Sequence, residues 1–352
     1  MLKRINRSSL INSGFSIAEL LIVIVVIAII AAITMVGYNL VLKNTIATSL
    51  QSNLKNAAKQ LVVDNIRSST GTYPATLAVA NNGTGIDFPS NTTTTYTVDN
   101  TDTPNTFCLT ATQNSQTYFI TQESRPLSGP CPVLYLDAGI QTSYPGTDVA
   151  WNDLSGLGNN GTISGLSYAQ ESGGTLVFNG SAGYVDTGSP SIYNTLNNSI
   201  TIEAWLKTST LAGLYQRIVS KQYNATNTTA DSCFQLGISS TNKWRWSVGG
   251  VFDITLSSPS PLSNTWYYFV GTYDKSQTNM YINGALVNSS TAYTSPIRTN
   301  SSQILSIGTT DVSGVRSYYF SGRISSISVH NVALSGDVIQ NKFNALRSRF
   351  GL

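Results

Sequence analysis

An apolar run near the N-terminus limits what this chain can fold into more than any other feature. Residues 15–36 contain a single charged side chain, Glu19. A helix rises about 1.5 Å per residue, so a segment of this length can cross the roughly 30 Å hydrocarbon layer of a membrane. Lys3, Arg4 and Arg7 precede the run. Because basic flanks stay on the cytoplasmic side, we predict that the chain after the run lies outside.

Glu19 does not suit an ordinary membrane anchor. An ionisable group in lipid costs several kcal/mol unless it is paired, and such groups are functional candidates. Cleavage between Gly14 and Phe15 would free an α-ammonium group on Phe15, which can pair with Glu19 of the same or a neighbouring subunit. The alternatives are a plain signal anchor and a secretory signal peptide cut near Ala31-Ala32. Neither alternative explains Glu19.

These N-terminal residues resemble those of the type IV pilins, whose precursors carry a short basic leader and the pattern Gly-Phe-x-x-x-Glu before an apolar helix. The resemblance implies that residues 1–14 are a leader, that a prepilin peptidase cleaves between Gly14 and Phe15, and that the Phe15 amine is methylated. It also implies that Glu19 acts in subunit docking during filament assembly. Many pilins have a Pro within or at the end of the apolar run, where this chain offers only Gly37.

The helical pattern continues beyond the apolar run. Apolar residues recur at spacings of three and four on an otherwise polar stretch, as on a helix with one buried face. We predict one helix over residues 15–67, on the order of 75 to 80 Å long, with its transmembrane half at 15–36. The stripe consists of Val41, Leu42, Ile46, Leu50, Leu54, Ala57, Ala58, Leu61, Val62 and Ile66.

Residues 68–132 are predicted to form a small head that covers this stripe. Three runs alternate as strands do: 96–98, 107–112 and 118–121. The four residues 113–116 between the last two predict a hairpin. A three-stranded antiparallel sheet would then lie on the helix, an arrangement that resembles the pilin head.

Three cysteines beyond the apolar run indicate an oxidising compartment, with one pair and one thiol left over. Cys108 and Cys131 flank a short loop, and a disulfide between them would stabilise the fold by about 3 kcal/mol. Cys233 is the odd thiol, and we predict that it is buried and inert.

Residues 133–352 show short alternating runs separated by turn residues, which predict a β-sandwich of about a dozen strands. Asn283-Gly284 is a strong two-residue hairpin signal. Ser335 can cap a short closing helix that ends near Arg347. The predicted fold class is therefore α+β: a long helix with a small antiparallel sheet, followed by an all-β jelly roll.

The sandwich residues resemble the laminin G-like or concanavalin A-like jelly rolls of secreted bacterial proteins. The resemblance implies binding of glycan or protein, sometimes with calcium, and sometimes hydrolysis. The motifs that carry it are Trp151-x-Asp153-x-Ser155-Gly156-x-Gly158-Asn159-Asn160-Gly161, Phe178-Asn179-Gly180, Tyr184-Val185, Ser199 to Trp205, Trp266-Tyr267-Tyr268, Tyr281-Ile282-Asn283-Gly284 and Ala333-Leu334-Ser335.

The acidic residues argue against an enzyme. Glycoside hydrolysis normally needs two carboxylates about 5 to 9 Å apart. The chain contains four Glu residues, at positions 19, 123, 171 and 203, and none is paired with a second acid in a catalytic pattern on one strand. The single His330 has no Ser or Cys motif beside it and is predicted to be a surface or hydrogen-bonded residue.

Ligand-binding candidates follow from the alternation of one strand. If Ile200 to Leu206 point every second side chain into the core, Glu203 and Trp205 face outward, where an aromatic ring could stack on a sugar. Trp246 is a second such candidate, although core packing explains most Trp residues in sandwiches. Asp153 and Asn159 are candidate calcium ligands, and hydrogen bonds within their own turn are the alternative. We predict no other cofactor.

Composition limits the cellular compartment and the kinds of partner that suit this protein. Only 11% of the residues are charged and the net charge is +3, which gives no electrostatic basis for nucleic-acid binding and suits an extracellular β-rich protein. We predict a type IV pilus subunit that starts in the inner membrane, assembles with copies of itself through the pilus machinery, and displays a sandwich for adhesion to a glycan or protein receptor. The alternatives are a structural pilin with a spacer domain and a pseudopilin of a type II secretion system.

Overall fold

The structure, a computed structural model, describes residues 16–209, 211, 213–222, 232–249, 252–255, 260–299, 302–312 and 314–352. Its contacts form two compact units, of which the first ends at Ser49 and the second is Leu50–Leu352. The predicted leader and the processing residues Gly14 and Phe15 lie outside the described residues. The predicted domain limits at residues 14 and 132 stay predictions.

The first element is helix α1, Ile17–Arg67, which ends where the sequence predicted. Its apolar side chains up to Val36 are exposed. Among the described residues, α1 is the helix whose length and composition suit a membrane span, and a signal sequence would share these properties. In the second unit its stripe is buried at Leu50, Leu54 and Leu61, whereas Ile66 is exposed, contrary to our prediction.

The head contains a four-stranded antiparallel sheet in the order β1-β2-β3-β4, with strands β1 Thr93–Asp99, β2 Thr106–Gln113, β3 Gln116–Thr121 and β4 Leu127–Ser128. The predicted hairpin joins β2 to β3, and both of its central residues, Asn114 and Ser115, have positive φ as a type I′ turn requires. The sequence missed β4 because two residues are too few to show an alternating pattern.

Two large antiparallel sheets form the sandwich. Its strands are β5 Leu134–Asp137, β6 Ala150–Trp151, β7 Gly161–Ser164, β8 Ser167–Ala169, β9 Thr175–Asn179, β10 Tyr184–Asp186, β11 Ile200–Thr208, β12 Gln216–Gln222, β13 Ser232–Ile238, β14 Trp244–Val248, β15 Phe252–Thr255, β16 Trp266–Tyr273, β17 Thr278–Ile282, β18 Ala285–Ser290, β19 Leu305–Ile307, β20 Thr310–Val312, β21 Val315–Ser317 and β22 Ser321–His330. One sheet has the order β15-β14-β13-β12-β19-β10-β7-β6, and the other has the order β18-β17-β16-β11-β22-β9-β8 with β5 also on β22. Of the strands just named, β20 and β21 belong to neither large sheet and form a separate two-stranded ribbon. The described strands exceed the predicted dozen because several are only two to four residues long.

The main hydrophobic core lies between these two sheets. Ile200, Ile202 and Leu206 point into it, so the alternation predicted for β11 is confirmed. The predicted Asn283-Gly284 turn is also confirmed, with positive φ at both residues between β17 and β18.

A C-terminal segment covers the other face of the sheet that contains β11. It consists of helix α2, Gly336–Leu346, and a 3₁₀ turn, Arg347–Phe350. As predicted, Ser335 caps α2, since its hydroxyl accepts a hydrogen bond from the Val338 N–H. A second apolar cluster lies beneath this segment and includes Trp205, Tyr268 and Phe350.

The head packs directly on the sandwich. Thr97 of β1 donates its hydroxyl to the Ser155 carbonyl at 2.7 Å, and Asn160 donates its amide to Asp102 at 2.6 Å. Phe119 of β3 meets Tyr135 of β5 edge to face, with ring centroids 6.1 Å apart. Head and sandwich therefore share buried surface within the second unit.

Candidate functional site

Glu19 lies in the first turn of α1 and closes a capping box with Ser16. The Ser16 N–H donates to Glu19 Oε2 at 2.8 Å, and the Glu19 N–H donates to the Ser16 hydroxyl at 3.2 Å. This reciprocal pair satisfies two N–H groups at the helix start. The carboxylate thus has a local partner besides the Phe15 ammonium that the sequence suggested, and its role in assembly stays a prediction.

The cysteines follow the predicted pairing. Cys108 and Cys131 form a disulfide, and both contribute to the apolar cluster where Phe119 and Tyr135 also lie. Cys233 is buried and unbonded to another cysteine. Burial raises the pKa of its thiol to about 12, so the thiolate needed for reactivity is absent at neutral pH.

The prediction that Glu203 and Trp205 lie on an open sheet face is wrong. Both side chains leave β11 on the predicted side, but their exposed fractions are only 3% and 2%. The physical reason is the C-terminal segment: the Phe350 ring stacks on Trp205 with centroids 4.0 Å apart and planes 10° apart. Phe350 therefore occupies the place on Trp205 where a sugar ring was expected to stack.

Glu203 instead centres a buried polar cluster. Its Oε1 accepts hydrogen bonds from Lys342 Nζ at 2.5 Å and His330 Nε2 at 2.6 Å, while Oε2 accepts one from the Tyr268 hydroxyl. Burial alone would raise the pKa of Glu203, but the Lys342 ammonium and the His330 hydrogen bond outweigh it and lower the pKa to about 2. Burial and the Lys342 charge lower the pKa of His330. The cluster is therefore an ionised Glu–Lys pair with a neutral imidazole.

This cluster is enclosed, since His330 is fully buried and Lys342 is only 3% exposed. Substrate cannot reach these groups in this conformation. The sequence missed the cluster because the three partners of Glu203 lie 65, 127 and 139 residues away along the chain. His330 is hydrogen-bonded, which was one of its two predicted states.

The predicted outward position of Trp246, on which its role as a ligand-binding candidate depended, is also wrong. Its side chain points into the core between the two sheets and is completely buried. The indole N–H donates to the Thr272 carbonyl at 3.2 Å. A core position follows from strand alternation, because Trp244 and Trp246 share the inward face of β14.

Asp153 and Asn159 lie in the glycine-rich loop against the head. The Asp153 carboxylate accepts four hydrogen bonds, from the N–H groups of Tyr135, Ser155 and Asn159 and from the Ser155 hydroxyl. Burial nevertheless raises its pKa. Asn159 donates its amide to the Val133 carbonyl at 2.7 Å. The Asp153 bonds to Ser155 and Asn159 lie within the turn, as the alternative predicted. The bonds to Tyr135 and Val133 instead join the loop to β5 and the residue before it, and a calcium ion on Asp153 would have to displace its donors.

Within the described part of the chain, no group of three or more His, Cys, Asp or Glu side chains could hold a metal ion. Calcium binding by this loop stays a prediction.

One open cleft on the sandwich was not predicted. We name it the tyrosine cleft; its volume is about 400 Å³, within the range of small-molecule sites. Tyr215 and Tyr318 meet edge to face on its wall, with ring centroids 5.7 Å apart and planes at 77°. The described residues that line it are Asn179, Gly180, Gly213, Leu214, Tyr215, Gln216, Ser240, Tyr318, Tyr319 and Ser321.

The tyrosine cleft lies at one end of the sandwich, where connections of both sheets meet. Tyr215 immediately precedes β12 of one sheet, and Ser321 begins β22 of the other. No sequence signal singled it out, because its tyrosines lie about 100 residues apart in loops without periodicity.

Comparison with known proteins supports a concanavalin A-like domain in the second half of the chain. Residues 179–340 match the family described as the concanavalin A-like lectin/glucanases superfamily. No curated protein matches the sequence.

Several solved structures resemble the fold. A Trypanosoma rangeli sialidase bound to 2,3-difluoro-KDN has a TM-score of 0.50 at 10% identity, covering 73% of this chain and 54% of its own. The chain thus spans about half the length of the sialidases it matches. The binding domain of botulinum neurotoxin serotype G has a TM-score of 0.46 at 17% identity, covering 61% of this chain and 51% of its own.

A third similar structure is domain 4 of AbnA, a GH43 extracellular arabinanase from Geobacillus stearothermophilus, in complex with arabinotriose. Its TM-score is 0.45 at 14% identity, and the match covers 60% of this chain and 97% of that one. At these identities the resemblance concerns the fold alone. The fold is a long N-terminal helix followed by antiparallel sheets that form a lectin-like sandwich.

Proposed function

We propose that this protein is a type IV pilin-like subunit that displays a lectin-like sandwich on a filament. The observation that supports this most is the change in character along α1. Its side chains are apolar and exposed up to Val36, but from Leu50 to Leu61 its apolar stripe is buried in the second unit. A subunit of this kind needs lipid, or other copies of itself, around the first part and its own protein around the second.

The proposed biochemical role is adhesion through the sandwich to a glycan or a protein on another surface. The match of residues 179–340 to the concanavalin A-like family supports it. We propose no catalytic activity, which the enclosure of Glu203 and His330 supports. We also propose no required cofactor. The apolar helix suits a membrane anchor or a signal sequence; we propose an anchor before assembly and an extracellular filament afterwards.

The assembly role can be tested by separating the charge of Glu19 from its capping bond. Glu19→Gln keeps an acceptor for the Ser16 N–H, since Gln also serves in a capping box, but removes the negative charge. Ser16→Ala keeps the charge and removes the reciprocal bond. We expect sheared surface filaments to be lost in Glu19→Gln and retained in Ser16→Ala, with N-terminal sequencing of the wild-type filament beginning at Phe15.

Filaments of normal abundance from Glu19→Gln, or a mature N-terminus elsewhere, would contradict the proposal. Electron microscopy separates the alternatives, because a pseudopilin would give no extracellular filament at native expression. Deletion of the sandwich without loss of adhesion would favour a spacer.

A further inference from the structure

We propose that the tyrosine cleft binds one neutral pyranose ring of a glycan. The inference deepens the proposed function, because it assigns the adhesive ligand class and the residues that meet it. The cleft is separate from the candidates Glu203, Trp205 and Trp246, which are buried.

The two tyrosines, which meet edge to face, form a corner suited to a sugar ring. Tyr215 and Tyr318 are 39% and 38% exposed, so each offers ring surface to a ligand. A pyranose has a flat face of C–H groups, which packs on an aromatic face because that face carries partial negative charge. With planes at 77°, one tyrosine can stack on this face while the other contacts the edge of the ring.

The corner is held in place before any ligand arrives. The Arg217 guanidinium lies 5.3 Å from the Tyr215 ring centroid and 4.9 Å from that of Tyr318. Arg245 lies 5.5 Å from the Tyr215 centroid. Both arginines are only 3% exposed, so they support the rings from the protein side. Rigid aromatic rings lose little conformational entropy when they bind.

Tyr318 also has an unusual backbone. Its φ is +58°, a conformation that costs free energy for a bulky residue and that is common at ligand sites. The Tyr318 carbonyl accepts the Arg217 N–H at 2.9 Å, which helps to fix this backbone conformation. The Tyr318 ring that this backbone conformation positions is exposed. We therefore interpret the ring as a surface that meets a ligand and not as a packing residue.

The polar lining indicates a neutral ligand. Among the described lining residues none is charged, and the polar groups are the amides of Asn179 and Gln216 with the hydroxyls of tyrosine and serine. Asn179 Oδ1 accepts hydrogen bonds from Ser181 and from the Ala182 N–H. These bonds fix the amide and leave its NH₂ group to donate to a sugar hydroxyl. An acidic sugar would therefore find no cationic side chain among the lining residues that the structure describes.

The test is binding of the full chain, in a detergent that contains no sugar, to an array of neutral and sialylated glycans. The best neutral ligand is then titrated by calorimetry. We expect Tyr215→Ala and Tyr318→Gly each to weaken its affinity at least about tenfold, as loss of an aromatic contact worth about 1.4 kcal/mol would do. Glycine accepts the positive φ of position 318, so Tyr318→Gly removes the ring without adding backbone strain.

Matched controls separate the ring from the fold. Tyr215→Phe keeps the ring and should bind within about threefold of wild type. Leu286→Ala removes an exposed apolar side chain from β18, at the edge of the same sandwich, and should not change binding. Thermal unfolding monitored for each variant shows that the chain is folded.

The proposal is overturned if the folded chain binds no glycan, binds only sialylated glycans, or binds neutral glycans equally well after Tyr215→Ala and Tyr318→Gly. It is also overturned if the chain binds only a protein receptor. Filament assembly is scored separately in the same variants and should be unchanged. Failure of sugar binding with normal filaments therefore rejects this inference alone, while sugar binding without filaments rejects only the assembly role.

Discussion

Glu203 is ionised inside the protein because its partners, rather than water, stabilise its charge. Lys342 and His330 lie within 2.6 Å of its Oε1, and without them burial would favour the neutral acid. Removal of one partner from a buried ion pair leaves an uncompensated charge, which is more costly than the pair itself is favourable. The cluster is therefore sensitive to pH and to substitution.

We expect Glu203→Gln to lower the free energy of unfolding by about 3 kcal/mol, because it leaves the Lys342 ammonium buried without a counter-charge. Urea unfolding of the full chain at pH 7 measures this effect. Asp87→Asn, the same chemical change on an exposed loop, should be nearly neutral, and an equal loss from both variants would contradict the assignment.

The stability of the protein should decrease as the pH falls, and the Glu203→Gln variant should show less of this decrease. The pKa of Glu203 is lowered from 4.5 to about 2, so its contribution to stability is complete above about pH 4.5 and is lost as the pH falls towards 2. The pKa of His330 lies below its ordinary 6.5. As the pH falls, the imidazole is therefore protonated in the unfolded chain before it is protonated in the folded protein, and the free energy of unfolding also decreases below about pH 6.5. Unfolding midpoints between pH 7 and 2 should decline less steeply for Glu203→Gln below pH 4.5 than for wild type.

At the scale of elements, the C-terminal segment closes one outer face of the sandwich to solvent and ligands. α2 and the 3₁₀ turn after it cover the outer side of β11 and β16, with Phe343 and Phe350 stacked near parallel to Trp205. The sequence predicted α2 from its Ser335 cap but not its packing partner. Because of this cover, Trp205 is closed to a ligand, whereas the rings of Tyr215 and Tyr318 in the tyrosine cleft stay exposed.

Phe350→Ala should destabilise the protein by about 3 kcal/mol or more, since it removes a buried ring and leaves a cavity over Trp205. Thermal unfolding and tryptophan fluorescence measure the loss and the altered environment of Trp205. Leu352→Ala, two residues further on and 39% exposed, is the matched control. Equal midpoints for the two variants would show that the segment does not hold this face closed.

At the scale of the whole molecule, head and sandwich are joined by contact as well as by the chain. At Gly156 the backbone of the sandwich lies against the head, since a Cβ at this position would lie 2.7 Å from the Thr97 carbonyl oxygen in β1. The Cys108–Cys131 disulfide and the cluster around Phe119 and Tyr135 lie in the same region. A mechanical force applied to the sandwich would therefore be transmitted to the head through these packed contacts.

Gly156→Ala should cost about 1 to 3 kcal/mol more than Gly188→Ala, because overpacking against a backbone atom costs about that much. Both glycines have similar positive φ, +72° and +68°, but at Gly188 the nearest atom to an added Cβ is 3.9 Å away. Urea unfolding of the second unit within the full chain should show one transition for wild type. Equal costs for the two variants, or separate transitions for head and sandwich in wild type, would contradict close docking.

Local patterns in the sequence were enough to predict the end of α1 at Arg67, the hairpins at 114–115 and 283–284, the cap at Ser335 and the inward face of β11. Each depends on residues within a few positions of one another, because helix period, strand alternation and turn geometry are set by near neighbours. Tertiary packing alone decided that Trp205 lies under Phe350, that Glu203 meets Lys342, and that Tyr215 meets Tyr318. Those partners are about 100 residues or more apart, and no local preference specifies which surfaces the folded chain brings together.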